Sequence, residues 1–230
     1  SNILICDDEK DIVSALRICL AAEGYEIFEA YNGMEALNVI RQNDIHLVLL
    51  DIMMPEMDGI STLAKIRENY NMPVLFISAK SEDADKILGL NIGADDYITK
   101  PFNIIEVVAR VKSNLRRYMR LGSNVSGSSR IEIGGLCLDD SEKTVTADGE
   151  EINLTPTEYE ILKLLMKNPG KVFSPREIYE KVWKETLLGS ENTVAVHIRH
   201  LREKLEINPA DPRYIKVVWG QGYKIQGVGR

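Results

Sequence analysis

Residues 47–59 read LVLLDIMMPEMDG. Four apolar residues run into a single acid, Asp51, and Pro55 and Gly59 follow closely. An unbroken apolar run of this length suits a strand covered on both faces, the signature of a parallel sheet flanked by helices. Asp51 then stands at the carboxyl edge of the sheet, where such sheets place their ligands. Around this run the first half of the chain alternates. ILIC (3–6), YEIFEA (25–30), HLVLL (46–50), PVLFIS (73–78) and DYIT (96–99) are short β-like runs. Helical patterns lie between and after them: DIVSALRICLAAEG with its Gly24 stop, GMEALNVIRQ, GISTLAKIRE, ADKILGLNI and NIIEVVARVKSNLRRYM. Five strands alternating with five helices predict an α/β fold, a five-stranded parallel, doubly wound sheet.

The strand ends share a chemistry. Strand one ends in Asp7-Asp8, strand three in Asp51, strand four in Ser78-Ala79 and strand five in Thr99-Lys100-Pro101. Parallel strands bring these ends to one edge, so three carboxylates meet beside a lysine. Clustered carboxylates repel, and a hard divalent cation with oxygen ligands, Mg²⁺, relieves this. A metal beside a carboxylate also neutralises a transferring phosphoryl group. Asp51 is the candidate nucleophile, with Lys100 and the Ser78 hydroxyl as phosphoryl contacts. Lys100-Pro101 is a candidate cis peptide that sets the direction of the lysine. Any one of these acids alone is more simply a solvated or helix-capping residue; the combination of strand ends favours a site.

The chain has 230 residues and a formal charge of -7, a length that fits two ordinary domains. Residues 1–120 carry 13 Lys/Arg against 19 Asp/Glu, and residues 131–230 carry 14 against 16. A second half without basic excess binds nucleic acid only through a local patch. No apolar run is long enough to span a membrane and no signal peptide is legible, so the expected location is cytoplasmic with no membrane partner. Cys6, Cys19 and Cys137 lack metal-ligand spacing and read as reduced thiols. Ser1-Asn2, without a Met, reads as a trimmed or engineered start. The expected division is a domain at 1–120, a flexible Gly/Ser-rich linker LGSNVSGSSR at 121–130, and a domain at 131–230.

The second half has another grammar. Residues 131–153 predict short strands with an ADGEE turn at 147–151. LTPTEYEILKLLMKNPG opens a helix with Thr155 as N-cap, Pro156 at the first position and Glu158 three residues after the cap. Its expected apolar face is Tyr159, Leu162, Leu165 and Met166. SPREIYEKVW repeats the device with Ser174, Pro175 and Glu177. After a loop at 184–190, SENTVAVHIRHLREKLEI predicts a long helix with a core stripe of Val194, Ile198, Leu201 and Leu205. Its other faces carry Asn192, Thr193, Val196, His197, Arg199, His200, Arg202 and Lys204, a set that includes the cluster of donors a recognition helix needs. YIKVVWGQGYKIQ predicts a terminal hairpin. Together these make an α+β winged helix-turn-helix domain.

Residues 3–119, through ILICDDE, LLDIMMPEMDG, ISA and GADDYITKPF, resemble a response-regulator receiver domain of CheY/flavodoxin-like fold. The resemblance implies Asp51 as phospho-acceptor, Asp8 and Asp51 as direct Mg²⁺ ligands with the Met53 carbonyl, and Asp7 acting through water. It implies Ser78 and Lys100 as phosphate contacts and Tyr97 as a rotating switch residue. It also implies dimerisation through the face of the fourth helix, fifth strand and fifth helix, with cross-subunit pairs Lys86–Glu106, Asp96–Arg110 and Asp95–Arg117. Glu106 and Arg110, at i,i+4 spacing, can equally pair within the helix. Asn91 departs from the pattern, because several relatives carry an acid there to meet the counterpart of Lys112. Residues 131–227, through LTPTEYEIL, TVAVHIRHLREKL and VWGQGYKI, resemble the OmpR/PhoB winged-helix effector domain, with wording most like its VanR-like branch. By position, Thr193, His197 and Arg202 are implied phosphate contacts, and Val196, Arg199 and His200 face bases. His200 and Trp219 both replace a common arginine; Trp219 either packs on sugar and backbone or braces the hairpin, and the packing role is favoured.

The whole implies a phosphorylation-controlled transcription regulator. Its partners are a sensor histidine kinase, double-stranded promoter DNA, RNA polymerase and, on phosphorylation, a second copy of itself. It is not an enzyme beyond acyl-phosphate chemistry at Asp51. A haloacid-dehalogenase-type phosphohydrolase needs a second acid two positions after the nucleophile, where Met53 stands. A phosphate-independent regulator of the same fold would not need an intact acidic pocket.

Overall fold

A computed structural model describes residues 1–79, 93–121, 130–184 and 192–226, with the side chains of residues 120, 121 and 192 outside that description. Two compact units emerge, Ser1–Tyr118 and Met119–Arg230. In the first, β1 (Asn2–Cys6), α1 (Lys10–Ala22), β2 (Glu26–Ala30), α2 (Gly33–Gln42), β3 (Leu47–Asp51), α3 (Gly59–Arg67), β4 (Val74–Ala79), β5 (Asp96–Lys100) and α4 (Ile104–Leu121) follow in order. The sheet order is β2-β1-β3-β4-β5, with every pairing parallel. Asn2, at the supposedly incidental start, pairs with Glu26 inside β1. The fourth predicted helical pattern, with Lys86 and Asn91, lies outside the described residues, so the fifth predicted helix is α4 here. Of the predicted linker, Leu121 closes α4 and Arg130 opens the next strand; residues 122–129 lie outside the described residues.

The apolar run at 47–50 behaves as its composition requires. Leu47, Val48, Leu49 and Leu50 have no exposed surface, and Asp51 at the strand end is 3 % exposed. Leu47 and Leu49 join Ile3, Ile5, Leu75 and Ile77 in one core with the inner faces of α1 and α4. The loop after β3 closes tightly. The Gly59 N–H donates to the Ile52 carbonyl at 2.9 Å, and a Cβ at Gly59 would collide with the Asp51 carbonyl oxygen. Asp58 caps α3 by accepting from the Ser61 N–H, a preferred N-cap arrangement.

The second unit carries an antiparallel sheet, β6 (Arg130–Ile133), β7 (Leu136–Asp139), β8 (Thr144–Ala147) and β9 (Glu150–Glu151). Asp148 and Gly149, both at positive φ, turn β8 into β9 inside the predicted ADGEE turn. Three helices follow, α5 (Pro156–Met166), α6 (Pro175–Trp183) and α7 (Asn192–Leu205), then the hairpin β10 (Ile215–Val218) and β11 (Gly222–Ile225). Both predicted capping boxes form, Thr155 with Glu158 and Ser174 with Glu177. Tyr159, Leu162, Leu165 and Met166 of α5 are buried, as is the α7 stripe Val194, Ile198, Leu201 and Leu205. Tyr179 and Trp183 of α6 stack at 4.7 Å between ring centroids. The Glu206 carboxylate accepts from the Tyr214 and Ile215 N–H groups and so anchors the hairpin to the end of α7. Gly222, at φ +142°, lets the hairpin backbone press against Phe173, where a Cβ would collide with the Phe173 carbonyl.

Candidate functional site

The parallel sheet delivers the expected residues to one edge. One carboxylate oxygen from each of Asp7, Asp8 and Asp51 lies within 4.8 Å of the other two. Asp7 and Asp51 are buried and Asp8 is exposed. Lys100 Nζ sits among them, 2.8 Å from Asp7, 2.9 Å from Asp51 and 3.0 Å from Glu9. The Lys100-Pro101 bond is cis. Asp7 also accepts from the Glu9 N–H at 2.9 Å. Met53 has an exposed side chain, and its N–H donates to the Asp51 carboxylate. Ser78 is 6 % exposed at the end of β4, with its hydroxyl directed to the Ala79 carbonyl at 3.4 Å and Thr99 beside it in register. Tyr97 is half-buried on β5.

Electrostatics follow from this crowding. Burial pushes the Asp51 carboxyl up to about 6, aided by Asp7 and opposed by the Lys100 hydrogen bond. Burial likewise raises Asp7 against the pull of Lys100. Burial works against the Lys100 charge too, but hydrogen bonds to Asp7, Asp51 and Glu9 outweigh it and hold its pKa above the ordinary value. Such shifts mark a site where charge is held ready. An all-oxygen cluster with one exposed carboxylate open to solvent fits a hard cation such as Mg²⁺, which keeps several waters. Receiver domains generally hold Mg²⁺ at this pocket. Glu9 was missed as a partner of Lys100; its place two residues after Asp7, in the run Asp7-Asp8-Glu9, was the available signal.

Charges expected to meet across a dimer face have partners within their own chain. Arg110 pairs within its own chain, with Asp96 at 2.9 Å and Glu106 at 3.0 Å. The reason is spacing: Glu106 is one helical turn before Arg110, and β5 runs alongside α4. Asp95, with no exposed surface, accepts from Arg67 at 2.9 Å and the Val74 N–H at 3.0 Å. Arg117 is 4 % exposed and donates to Ser113 and Asn114. Lys86 lies outside the described residues. Lys112 pairs with Glu23.

The recognition-type helix is also corrected in part. Thr193, Val196, His197 and His200 are buried, at 5, 8, 1 and 5 % exposure, and not on an open donor face. The His197 ring lies 5.7 Å from Trp183, and His200 Nδ1 lies 3.6 Å from Glu158, so both histidines extend the buried stripe. Arg199 is exposed and pairs with Glu203 along the helix. Arg202 reaches the Ile215 carbonyl at 3.1 Å and braces the hairpin. The side chain of Asn192 lies outside the described residues. Trp219 is 89 % exposed at the hairpin tip, so it does not brace the hairpin.

Comparison with known proteins completes the picture. Residues 3–112 match the response regulator receiver domain family, and residues 149–225 match the transcriptional regulatory protein, C-terminal family. The chain is 44 % identical over 227 residues to the regulatory protein VanRc of Enterococcus gallinarum, covering 98 % of each. It is 42 % identical to the regulatory protein VanR of Enterococcus faecium, again covering 98 % of each. Among solved structures, a single-residue mutant of RitR superposes with a TM-score of 0.77 at 29 % identity, covering 99 % of both chains. DrrB of Thermotoga maritima, an OmpR/PhoB homologue, gives 0.51 at 32 % identity, covering 98 % of this chain and 99 % of that one.

Proposed function

We propose that this chain, which belongs to the two-component response regulators of the OmpR/PhoB type and to their VanR-like branch, takes a phosphoryl group on Asp51 and thereby controls promoter binding. One observation carries the proposal: the buried Asp51 carboxylate, at the carboxyl end of a central strand, lies 2.9 Å from Lys100 and within 4.8 Å of the Asp7 and Asp8 oxygens. A carboxylate oxygen of Asp51 attacks the phosphorus of a sensor kinase's phosphohistidine. The P–N bond breaks, its electron pair stays on the imidazole, and an acyl phosphate forms on Asp51. Asp8 and Asp51, with the Met53 carbonyl and Asp7, would hold Mg²⁺, which would supply charge neutralisation there. Lys100, released from one carboxylate partner, pairs with a phosphoryl oxygen, and the Ser78 hydroxyl turns from the Ala79 carbonyl to another. Tyr97 fills the space that Ser78 leaves.

The phosphorylated form associates with a second copy through the β5–α4 face. Asp96, Glu106 and Arg110 already pair there within one chain, and association exchanges those partners. Two effector units then occupy tandem half-sites and recruit RNA polymerase. Among the described residues, Arg199 and Trp219 are exposed members of the expected DNA set, and they support contact from α7 and the hairpin tip. Phosphate contacts make this binding fall as salt rises. Asp51→Ala should abolish labelling by a small phosphodonor with Mg²⁺, and labelling at the full wild-type level would overturn the assignment. Light scattering should show mass doubling on phosphorylation, together with tighter promoter binding. Unchanged mass and affinity would favour a regulator that works without phosphate.

A further inference from the structure

Glu158, His197 and His200 form a second cluster, within the effector unit. The histidines are three residues apart on α7, so both rings leave the same side of the helix. Glu158 meets them from the first turn of α5. One ligand atom from each lies within 4.8 Å of the other two, and all three side chains are buried. The two oxygens of Glu158 have different surroundings. Oε2 accepts from the Thr155 N–H at 2.9 Å and from Lys204 Nζ at 2.7 Å. Oε1 lies 3.6 Å from His200 Nδ1. That separation is close to the roughly 3.3 Å edge of a tetrahedron whose ligand bonds are about 2.0–2.1 Å long. Oε1 is therefore placed as a single-oxygen ligand, while Oε2 stays with the helix cap and the lysine.

Two imidazole nitrogens and one carboxylate oxygen suit the borderline divalent transition metals, Zn²⁺ and Co²⁺ among them. Mg²⁺ and Ca²⁺ take oxygen ligands instead. We propose that Glu158, His197 and His200 form a Zn²⁺-class metal site that clamps α7 to the first turn of α5. Three protein ligands leave a fourth position for water. The site ties together two helices already joined by the Glu158–Lys204 ion pair and by apolar contacts, so metal binding stabilises the effector unit as free metal rises. It depends on nothing at Asp51.

The test is a Co²⁺ titration of the full-length chain, stripped of metal and kept in excess Mg²⁺ so that the oxygen-only receiver pocket is filled. One equivalent of Co²⁺ should give the intense visible bands of a four-coordinate nitrogen–oxygen site. It should also quench the fluorescence of Trp183, whose ring is 5.7 Å from His197. Zn²⁺ should displace the cobalt and erase both signals. His197→Gln and His200→Gln should each weaken binding at least about tenfold, the loss that removing even a supporting group commonly brings, and Asp51→Asn should retain it. If either Gln variant loses its helical circular dichroism, the wild-type spectrum decides alone. Only the weak bands of a six-coordinate ion, or equal affinity in folded histidine variants, would overturn the site.

Discussion

Gly59 shows how much of the acidic pocket depends on an atom that is missing. Its backbone folds back under the end of β3, and a Cβ would meet the Asp51 carbonyl oxygen and the Ile52 backbone. Neither neighbour is a flexible side-chain tip, so the loop itself must move. Gly59→Ala should therefore lower stability by about 1–3 kcal/mol, the usual cost of overpacking, seen as a lower urea midpoint with an unchanged slope. Phosphodonor labelling should slow as Asp51 shifts. Arg110 is the second informative residue. It is 3 % exposed and holds two acids, Asp96 and Glu106. Arg110→Ala leaves Asp96 buried without its cation, which commonly costs about 3–5 kcal/mol. The pair Arg110→Ala with Asp96→Asn should recover part of that loss in the same unfolding measurement.

At the scale of elements, α5 and α6 begin with the same device in different surroundings. The Thr155–Glu158 box is buried, whereas the Ser174–Glu177 box is exposed. Removing a capping hydroxyl costs about 1 kcal/mol. Water can replace it at Ser174 but not at Thr155, so Thr155→Ala should cost more than Ser174→Ala in parallel urea titrations. A second tie joins the turn after β7 to α5. The Asp140 carboxylate accepts from Lys143, Lys163 and the Tyr159 hydroxyl. Burial alone would raise its pKa, but those partners outweigh it and hold Asp140 below the ordinary 3.8. A group depressed in the folded state favours folding above its unfolded pKa and loses that contribution as pH falls through its folded one. The stability gap between wild type and Asp140→Asn should be steady near neutrality and close as pH drops below 3.8. A gap that persisted into stronger acid would show that shape and not charge carries the tie.

For the whole molecule, two separate cores predict two separable losses of structure. Ile3, Ile5, Leu47, Leu49, Leu75 and Ile77 of β1, β3 and β4 belong to one core, and the apolar faces of α5, α6 and α7 to another. In calorimetry Gly59→Ala should lower one transition and Ser174→Ala the other. A single transition shifted by both substitutions would show that the units unfold as one. This division was legible from the change of grammar near residue 130, where alternating strands and helices give way to short strands followed by capped helices. The acidic pocket was legible for a related reason. A parallel sheet sends all its strand ends to one edge, so position along the chain converts directly into position in space.

The polar faces of the helices were less legible, because a periodic pattern says which residues share a face and not what covers it. Residues 193, 197 and 200 share one side of α7 as expected, but Trp183 and Glu158, far away in sequence, occupy that side and bury it. Arg110 and Asp95 were expected to reach across to a second copy, yet each has a nearer partner in its own chain. The fold, the two units and the meeting of Asp7, Asp8, Asp51 and Lys100 were determined by the sequence alone, because strand direction and hydrophobic period are local properties. Which charged groups pair, and that Glu158, His197 and His200 come together, was decided only by the tertiary structure. Those outcomes depend on which of several long side chains lies nearest once separate elements pack, a distance that no local pattern encodes.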